Sequence, residues 1–294
     1  MDQAEQLRNI IKQQSLNYKF ARVITVTSGK GGVGKSNLSV NLAIQLSKLG
    51  KRVIVLDADF GLANVEVMLG IRPQYNLADL IFRGKSLQDI ITDGPERIGF
   101  ISGGSGIQEL TNLTKDQIMF LTQKLYELDE LADVIIIDTG AGINDSVLEF
   151  VTASSEVLLV ATPEPTSLTD AYALLKTLNR KAEFIAENTS IKIVANRVES
   201  VDEANQLFNK LNVVVNKFLS IKIDFLGAIP QDSNVSKAVI QQKPYSLLYP
   251  NSPSSKAVSE LANRLCENTP KKANSIGSGI AQLFSNILRS KTKR

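Results

Sequence analysis

Eight residues near the start of the chain, Gly29-Lys30-Gly31-Gly32-Val33-Gly34-Lys35-Ser36, have the types and spacing of a phosphate cradle. Glycines adopt positive φ and let backbone amides approach a phosphate with no Cβ in the way. Successive N–H groups then form an anion nest. A helical pattern begins at Lys35, which aims a positive helix end at the same place. Lys35 reaches the β and γ phosphates in such a loop, and the Ser36 hydroxyl ligates Mg²⁺. Three acids belong with it. Asp57 and Asp59 follow one apolar run, Val53–Leu56, and Asp138 ends another, Val134–Ile137. In an open parallel sheet the carboxyl ends of the strands face the ligand crevice, so all three converge on the loop. A hard Mg²⁺ held mostly through water suits that set. Taken alone, each Asp also reads as a helix cap or turn residue.

The rest of the composition narrows the chemistry. The 294 residues contain no His, so no histidine base, Ser-His triad or His-ligated metal exists here. One cysteine, Cys266, builds no internal disulfide and no iron–sulfur or Cys-zinc site within one chain; a reducing cytoplasm fits. Hydrophobic residues are 43% and charged residues 21%, near the globular average. The longest apolar runs, such as Val157–Ala161, are far too short to span a bilayer. The polar start, Met1 to Gln6, excludes a secretory signal. The formal charge of +3 is uneven. Lys271, Lys272, Arg289, Lys291, Lys293 and Arg294 form a basic tail without an acid, leaving 27 basic against 30 acidic residues in the body. A uniformly basic DNA-binding body is therefore not supported.

The elements that position these groups follow from the hydrophobic pattern. Strands are expected at Val23–Thr27, Val53–Leu56, Ile98–Ser102, Val134–Ile137, Val157–Ala161, Ile191–Ala195 and Phe225–Ile229. Helices are expected at about 35–49, 76–82, 114–129, 166–187, 201–219, 233–241 and 254–267. Near-continuous apolar runs mean strands buried on both faces. The alternation predicts an α/β fold: one doubly wound, mostly parallel sheet with helices on both faces. Three parts result: an N-terminal extension at 1–20, the sheet domain at 21–267, and a linker with a further helix at 268–294.

With Lys30 as its second residue, the loop resembles that of the MinD/ParA class of deviant phosphate-loop ATPases. Asp57-Ala58-Asp59-Phe60-Gly61-Leu62-Ala63-Asn64 is similar to the first switch of MinD, and Asp138-Thr139-Gly140-Ala141-Gly142 to the second. The extension opens with Asp2-Gln3-Ala4-Glu5-Gln6-Leu7-Arg8, which resembles an element of the MinD-like flagellar number regulators of the FlhG (YlxH) type. The likeness covers nearly the whole chain. It implies ATP and ADP as ligands, slow hydrolysis activated by dimerisation, and a regulatory role in flagellum assembly. By that likeness Lys30 crosses a dimer interface to the partner's nucleotide and Asp59 orients the attacking water. Asp57 and Asp138 act on Mg²⁺ through water, alongside Ser36. The nucleotide is held by Gly29, Gly31, Gly32, Val33, Gly34, Lys35, Ser36 and Asn37. Asn196, Arg197, Pro230, Gln231 and Asp232 match adenine-contacting positions; as bland alternatives, Asn196 is a turn residue and Pro230 a loop residue. Two departures stand out. Gly140 replaces the usual Pro, and Ser36 replaces the commoner Thr while keeping the hydroxyl.

The ends of the chain carry the remaining expectations. Ile276, Ile280, Leu283, Phe284, Ile287 and Leu288 form one apolar stripe on a helix at about 276–290, with a basic end. Such a helix suits the inner surface of an anionic membrane, to which a cytoplasmic protein would bind peripherally. The alternative is a helix docked on its own domain, and in a monomer the stripe can pack there. The N-terminal Asp2–Arg8 element reads as a disordered tail or, by the likeness, as a docking site for the signal-recognition-particle-like GTPase FlhF. Flagellar switch (C-ring) proteins are further partners the likeness suggests. Competing readings are a cell-division site selector, a DNA-segregation ATPase and a non-hydrolysing nucleotide-sensing adaptor. An iron–sulfur carrier or reductase lacks its cysteines. The extension, the negative body and Asp59 weigh against the first three in turn.

Overall fold

A computed structural model describes residues 20–59, 64–104, 115–267, 279–284 and 287. The β-branched run Val134-Ile135-Ile136-Ile137 opens β5 (Val134–Ala141), which lies between β1 (Arg22–Ser28) and β2 (Val53–Ala58). The other strands are β3 (Thr92–Asp93), β4 (Gly99–Ser102), β6 (Glu156–Ala161), β7 (Ser190–Val198) and β8 (Ile223–Pro230). Among the described residues they form one eight-strand sheet in the order β3-β4-β2-β5-β1-β6-β7-β8. Every pairing is parallel except β3 with β4. All seven expected strands are present. The two-residue β3 has no hydrophobic alternation to announce it.

Both faces of the sheet are covered, and the two-residue period of the strands sorts the core. Ile24, Val26, Val55 and Ile136 pack against α1 (Lys35–Lys48) and against a late helix at Pro253–Glu267. Their neighbours Val23, Ile54, Ile135 and Ile137 point the other way. There they meet α3 (Leu77–Phe82), α4 (Leu87–Ile90) and α5 (Lys115–Leu131); α2 (Asn64–Leu69) lies beside α1. Farther along, α7 (Pro165–Asn179) and α8 (Val201–Phe218) cover β6 and β7 together with α6 (Asp145–Ala153). The chain ends its sheet with α9 (Ser233–Ile240), α10 (Tyr245–Leu248) and α11 (Pro253–Glu267).

Several helices differ from expectation. α6 was not anticipated; Asn144 caps it by accepting the Val147 N–H at 2.9 Å, and Val147, Leu148 and Val151 are buried. The short helices α2, α4 and α10 were also missed. The helix expected at 166–187 stops at Asn179, because Leu178 is its last buried position and Ile185 is exposed. At the base of the sheet, Glu156 accepts both Arg22 Nε at 2.7 Å and Arg22 Nη2 at 2.8 Å, and also Lys192 Nζ at 2.6 Å. The Arg22 Nη1 donates to the Leu265 carbonyl, which ties α11 to β1. At the far edge, Leu226 is an extra residue in β8, between Phe225 paired with Ile193 and Gly227 paired with Val194. Its carbonyl accepts Arg264 Nη1 at 2.8 Å.

The C-terminal stripe lies on the body. Ile280, Leu283, Phe284 and Ile287 are buried with Leu121, Leu125 and Leu128 of α5. Phe284 meets Phe150 of α6 edge to face at 5.9 Å. The docked alternative is thus the conformation described. Ile276, Leu288, the basic tail residues, Phe60–Ala63 and the Asp2–Arg8 element lie outside the described residues. Among the described residues no helix is long and apolar enough to cross a membrane.

Candidate nucleotide site

The loop after β1 has the backbone its glycines allow. Gly32 and Gly34 sit at φ +75° and +98°. Gly34 is the N-cap of α1 and no side chain caps the helix, so its first N–H groups are left to an external anion. Gly29 is required for a different reason. A Cβ there would lie 2.2 Å from the Asp170 backbone of α7. Lys35 is buried at the start of α1. Burial lowers its pKa, opposed by the charges of Asp138 and Asp59.

The three acids are where parallel strands bring them. Asp57 and Asp138 are register partners on β2 and β5. Asp138 is fully buried and accepts the Ser39 hydroxyl at 2.8 Å; the Ser36 hydroxyl also favours its charged form. Burial pushes its carboxyl up to about 6, against those hydrogen bonds and the Lys35 charge. Burial and then the Asp138 charge push Asp57 up to about 8. Asp138 Oδ2 has no hydrogen-bond partner. Two buried carboxylates on register-paired strands, one with an orphaned oxygen, fit a divalent cation. Bound there, Mg²⁺ would neutralise phosphate charge, held by Ser36 and by Asp57 and Asp138. Asp59 is placed by its own N–H, which donates to Asp57 Oδ1 at 3.0 Å, and by Asn64 Nδ2, which donates to Asp59 Oδ2 at 3.0 Å. Gly140 leaves it room: a Cβ there would lie 3.3 Å from Asp59 Oδ1.

Lys30 stays on its own chain in this conformation. Its Nζ donates to Glu164 Oε2 at 2.6 Å and to Thr166 Oγ1 at 2.8 Å, at the start of α7. Both ends of that pair are exposed.

Beside the loop lies a cavity of about 220 Å³, lined by Gly34, Asn37, Asn196, Arg197, Pro230, Gln231 and Asp232 among others. Thus the carboxyl ends of β7 and β8 converge with α1. Asn196 Nδ2 donates to the Val33 carbonyl at 2.7 Å, which locks the cavity wall to the phosphate loop. Arg197 holds φ +58°. Asp232 serves as the N-cap of α9, accepting the Asn234 N–H at 2.9 Å, so its capping role is present as well. The lining also includes Val235, Ser236, Tyr245 and Ser254, which the sequence did not single out. Ser236 lies one turn beyond Asp232, the only local signal for any of them.

Comparisons with known proteins identify the family and the fold. The ParA family model, described as a NUBPL iron-transfer P-loop NTPase, matches residues 19–266. The chain belongs to the ParA/MinD family of P-loop NTPases. Antiactivator FleN of Pseudomonas aeruginosa is 44% identical over 87% of this chain and 90% of its own length. The flagellum site-determining protein YlxH of Helicobacter pylori is 33% identical over 98% of each chain. The cell-division ATPase MinD of Pyrococcus furiosus shares the fold, with a TM-score of 0.65 at 23% identity over 84% of this chain and 99% of its own. A MinD complexed with Mg-ADP from Pyrococcus horikoshii superposes with a TM-score of 0.63 at 22% identity, covering 83% and 96% of the two chains. The nucleotide-binding fold read from the loop is therefore that of this ATPase family, while the single cysteine, Cys266, cannot build the cluster site that the iron-transfer description evokes.

Proposed function

We propose that this ParA/MinD-family ATPase is a nucleotide switch regulating the number or placement of flagella. ATP pairs two copies through the face that carries the phosphate loop. Pairing exchanges the internal partners of Lys30 for the nucleotide of the second copy, and frees the C-terminal helix for an anionic membrane. Asp59 then directs water to the γ-phosphate, and hydrolysis returns the monomer with its helix docked. The names of the relatives FleN and YlxH support the flagellar assignment. The observation that carries the switch is Lys30 held by exposed Glu164 and Thr166, contacts that are cheap to exchange. Docking of the SRP-like GTPase FlhF on Asp2–Arg8 and binding to the flagellar switch belong to the same reading.

Light scattering with ATP, with ADP and without nucleotide tests it, using Asp59→Ala to trap the ATP form. A dimer confined to ATP supports the switch; a fixed mass in all three states removes it. Co-sedimentation with anionic vesicles tests the membrane step. Removing residues 274–294 is expected to abolish vesicle binding and leave nucleotide binding intact.

A further inference from the structure

The two ends of the described chain meet on one buried side chain. Asp129 of α5 is 2% exposed. Its Oδ1 accepts the Ile280 N–H at 3.0 Å and its Oδ2 accepts the Ala281 N–H at 3.5 Å, at the start of the docked C-terminal helix. The N–H of Ala21, the residue before β1, also faces this carboxylate and helps hold its charge against burial. Around it, Ala21, Leu125, Leu128, Ile280 and Phe284 belong to one apolar cluster. Phe20 rests on Tyr126 of α5 with ring centroids 6.3 Å apart.

The sequence is fitted to this contact. Gly279 holds φ +124°, and a Cβ on it would lie 2.5 Å from Asp129 Oδ2. A residue with a side chain there would push the carboxylate off the helix N-terminus. A carboxylate in an apolar wall is costly unless its lone pairs are filled. Here backbone amides fill them, and burial still pushes the carboxyl up to about 7.

We propose that Asp129 is a clasp shared by both ends of the chain, so that release of the C-terminal helix and loosening of the segment entering β1 are energetically coupled. When the helix leaves, Asp129 loses two donors and its apolar cover. Water must then enter to solvate the carboxylate, and it competes with the Ala21 N–H. Coupling between two sites is reciprocal. A partner that pulls on the N-terminal segment therefore loosens the helix. The regulatory meaning rests on the membrane reading above; the coupling itself does not.

Hydrogen exchange resolved to single amides tests this on the full-length protein without nucleotide. Asp129→Asn keeps the shape but offers one acceptor oxygen. It is expected to speed exchange about tenfold or more at both Ala21 and Ile280. Leu283→Glu frees the helix with Asp129 intact, and Ala21 exchange is expected to rise with that of Ile280. Protection at Ala21 unchanged from wild type in Leu283→Glu, or only one end responding to Asp129→Asn, overturns the clasp. A parallel arm adds phosphatidylglycerol vesicles with ADP, where Asp129→Asn is expected to bind more than wild type. If no form binds vesicles while both amides open together, the membrane reading fails and the clasp stands.

Discussion

Lys30 Nζ lies 2.6 Å from Glu164 Oε2, an ion pair joining the phosphate loop to the first residue before α7. The lysine is therefore an occupied group in this conformation, and the proposed interface role requires giving up this contact. Lys30→Ala is expected to bind ATP with affinity within about threefold of wild type and to remain monomeric. Calorimetry and light scattering on one preparation check both halves. A normal ATP-dependent dimer would falsify an interface role for Lys30.

Lys35 and Asp59 share the site, and the proposed roles for them differ. Lys35→Ala removes the fixed charge at the phosphates and is expected to weaken ATP binding at least a hundredfold. Asp59→Ala is expected to keep binding and to cut turnover by about two orders of magnitude or more, the range for a positioned proton-transfer or water-orienting group. Single-turnover phosphate release separates them. Near wild-type release from Asp59→Ala means another acid orients the water.

Gly29→Ala places a methyl group against the Asp170 backbone, which has no flexible end to yield. The expected cost is about 3 kcal/mol, the upper end for overpacking. Gly32 has nothing within 4 Å of a built Cβ, so Gly32→Ala carries only the strain of its φ of +75°. Thermal melts of the two variants are expected to rank Gly29→Ala as clearly less stable. Equal melting temperatures would show that the loop can shift away from α7.

Glu156 offers a pH test away from the nucleotide. Burial pushes its carboxyl up, but the hydrogen bonds and charges of Arg22 and Lys192 outweigh that and hold it below the usual range. Its folded pKa is thus depressed, so its contribution is present above the unfolded value of about 4.3 and is lost as pH falls through the folded pKa. Glu156→Gln leaves two cations without their anion and is expected to cost about 3 kcal/mol at pH 7. Urea melts at pH 7 and pH 3.5 check this. The gap between variant and wild type is expected to shrink at the lower pH; a constant gap rules the ionic contribution out.

Legibility followed physical locality. The phosphate loop, the seven main strands and the acids at strand ends could be read because each signal sits within a few consecutive residues. The cavity walls Val235, Tyr245 and Ser254 could not, since α9, α10 and α11 bring them together only after the sheet has formed. The helix α6 was hidden because Val147, Leu148, Phe150 and Val151 read equally as a short apolar run. Asp129 was invisible for a related reason. Nothing in α5 marks a carboxylate whose partners are amides from residues 21 and 280. The stripe from Ile280 to Ile287 was seen, yet an apolar face looks the same whether lipid or α5 covers it.

The contact between Arg264 and the Leu226 carbonyl bears on how the molecule avoids the wrong company. β8 ends the sheet, and a bare strand edge is a template on which another chain can extend the sheet. At Leu226 the strand bulges, and Arg264 of α11 holds its carbonyl. A bulge makes the edge irregular and so disfavours growth by strand addition there. The β8 edge is thereby a poor template for uncontrolled polymerisation along the sheet, a protection that does not depend on whether nucleotide is bound.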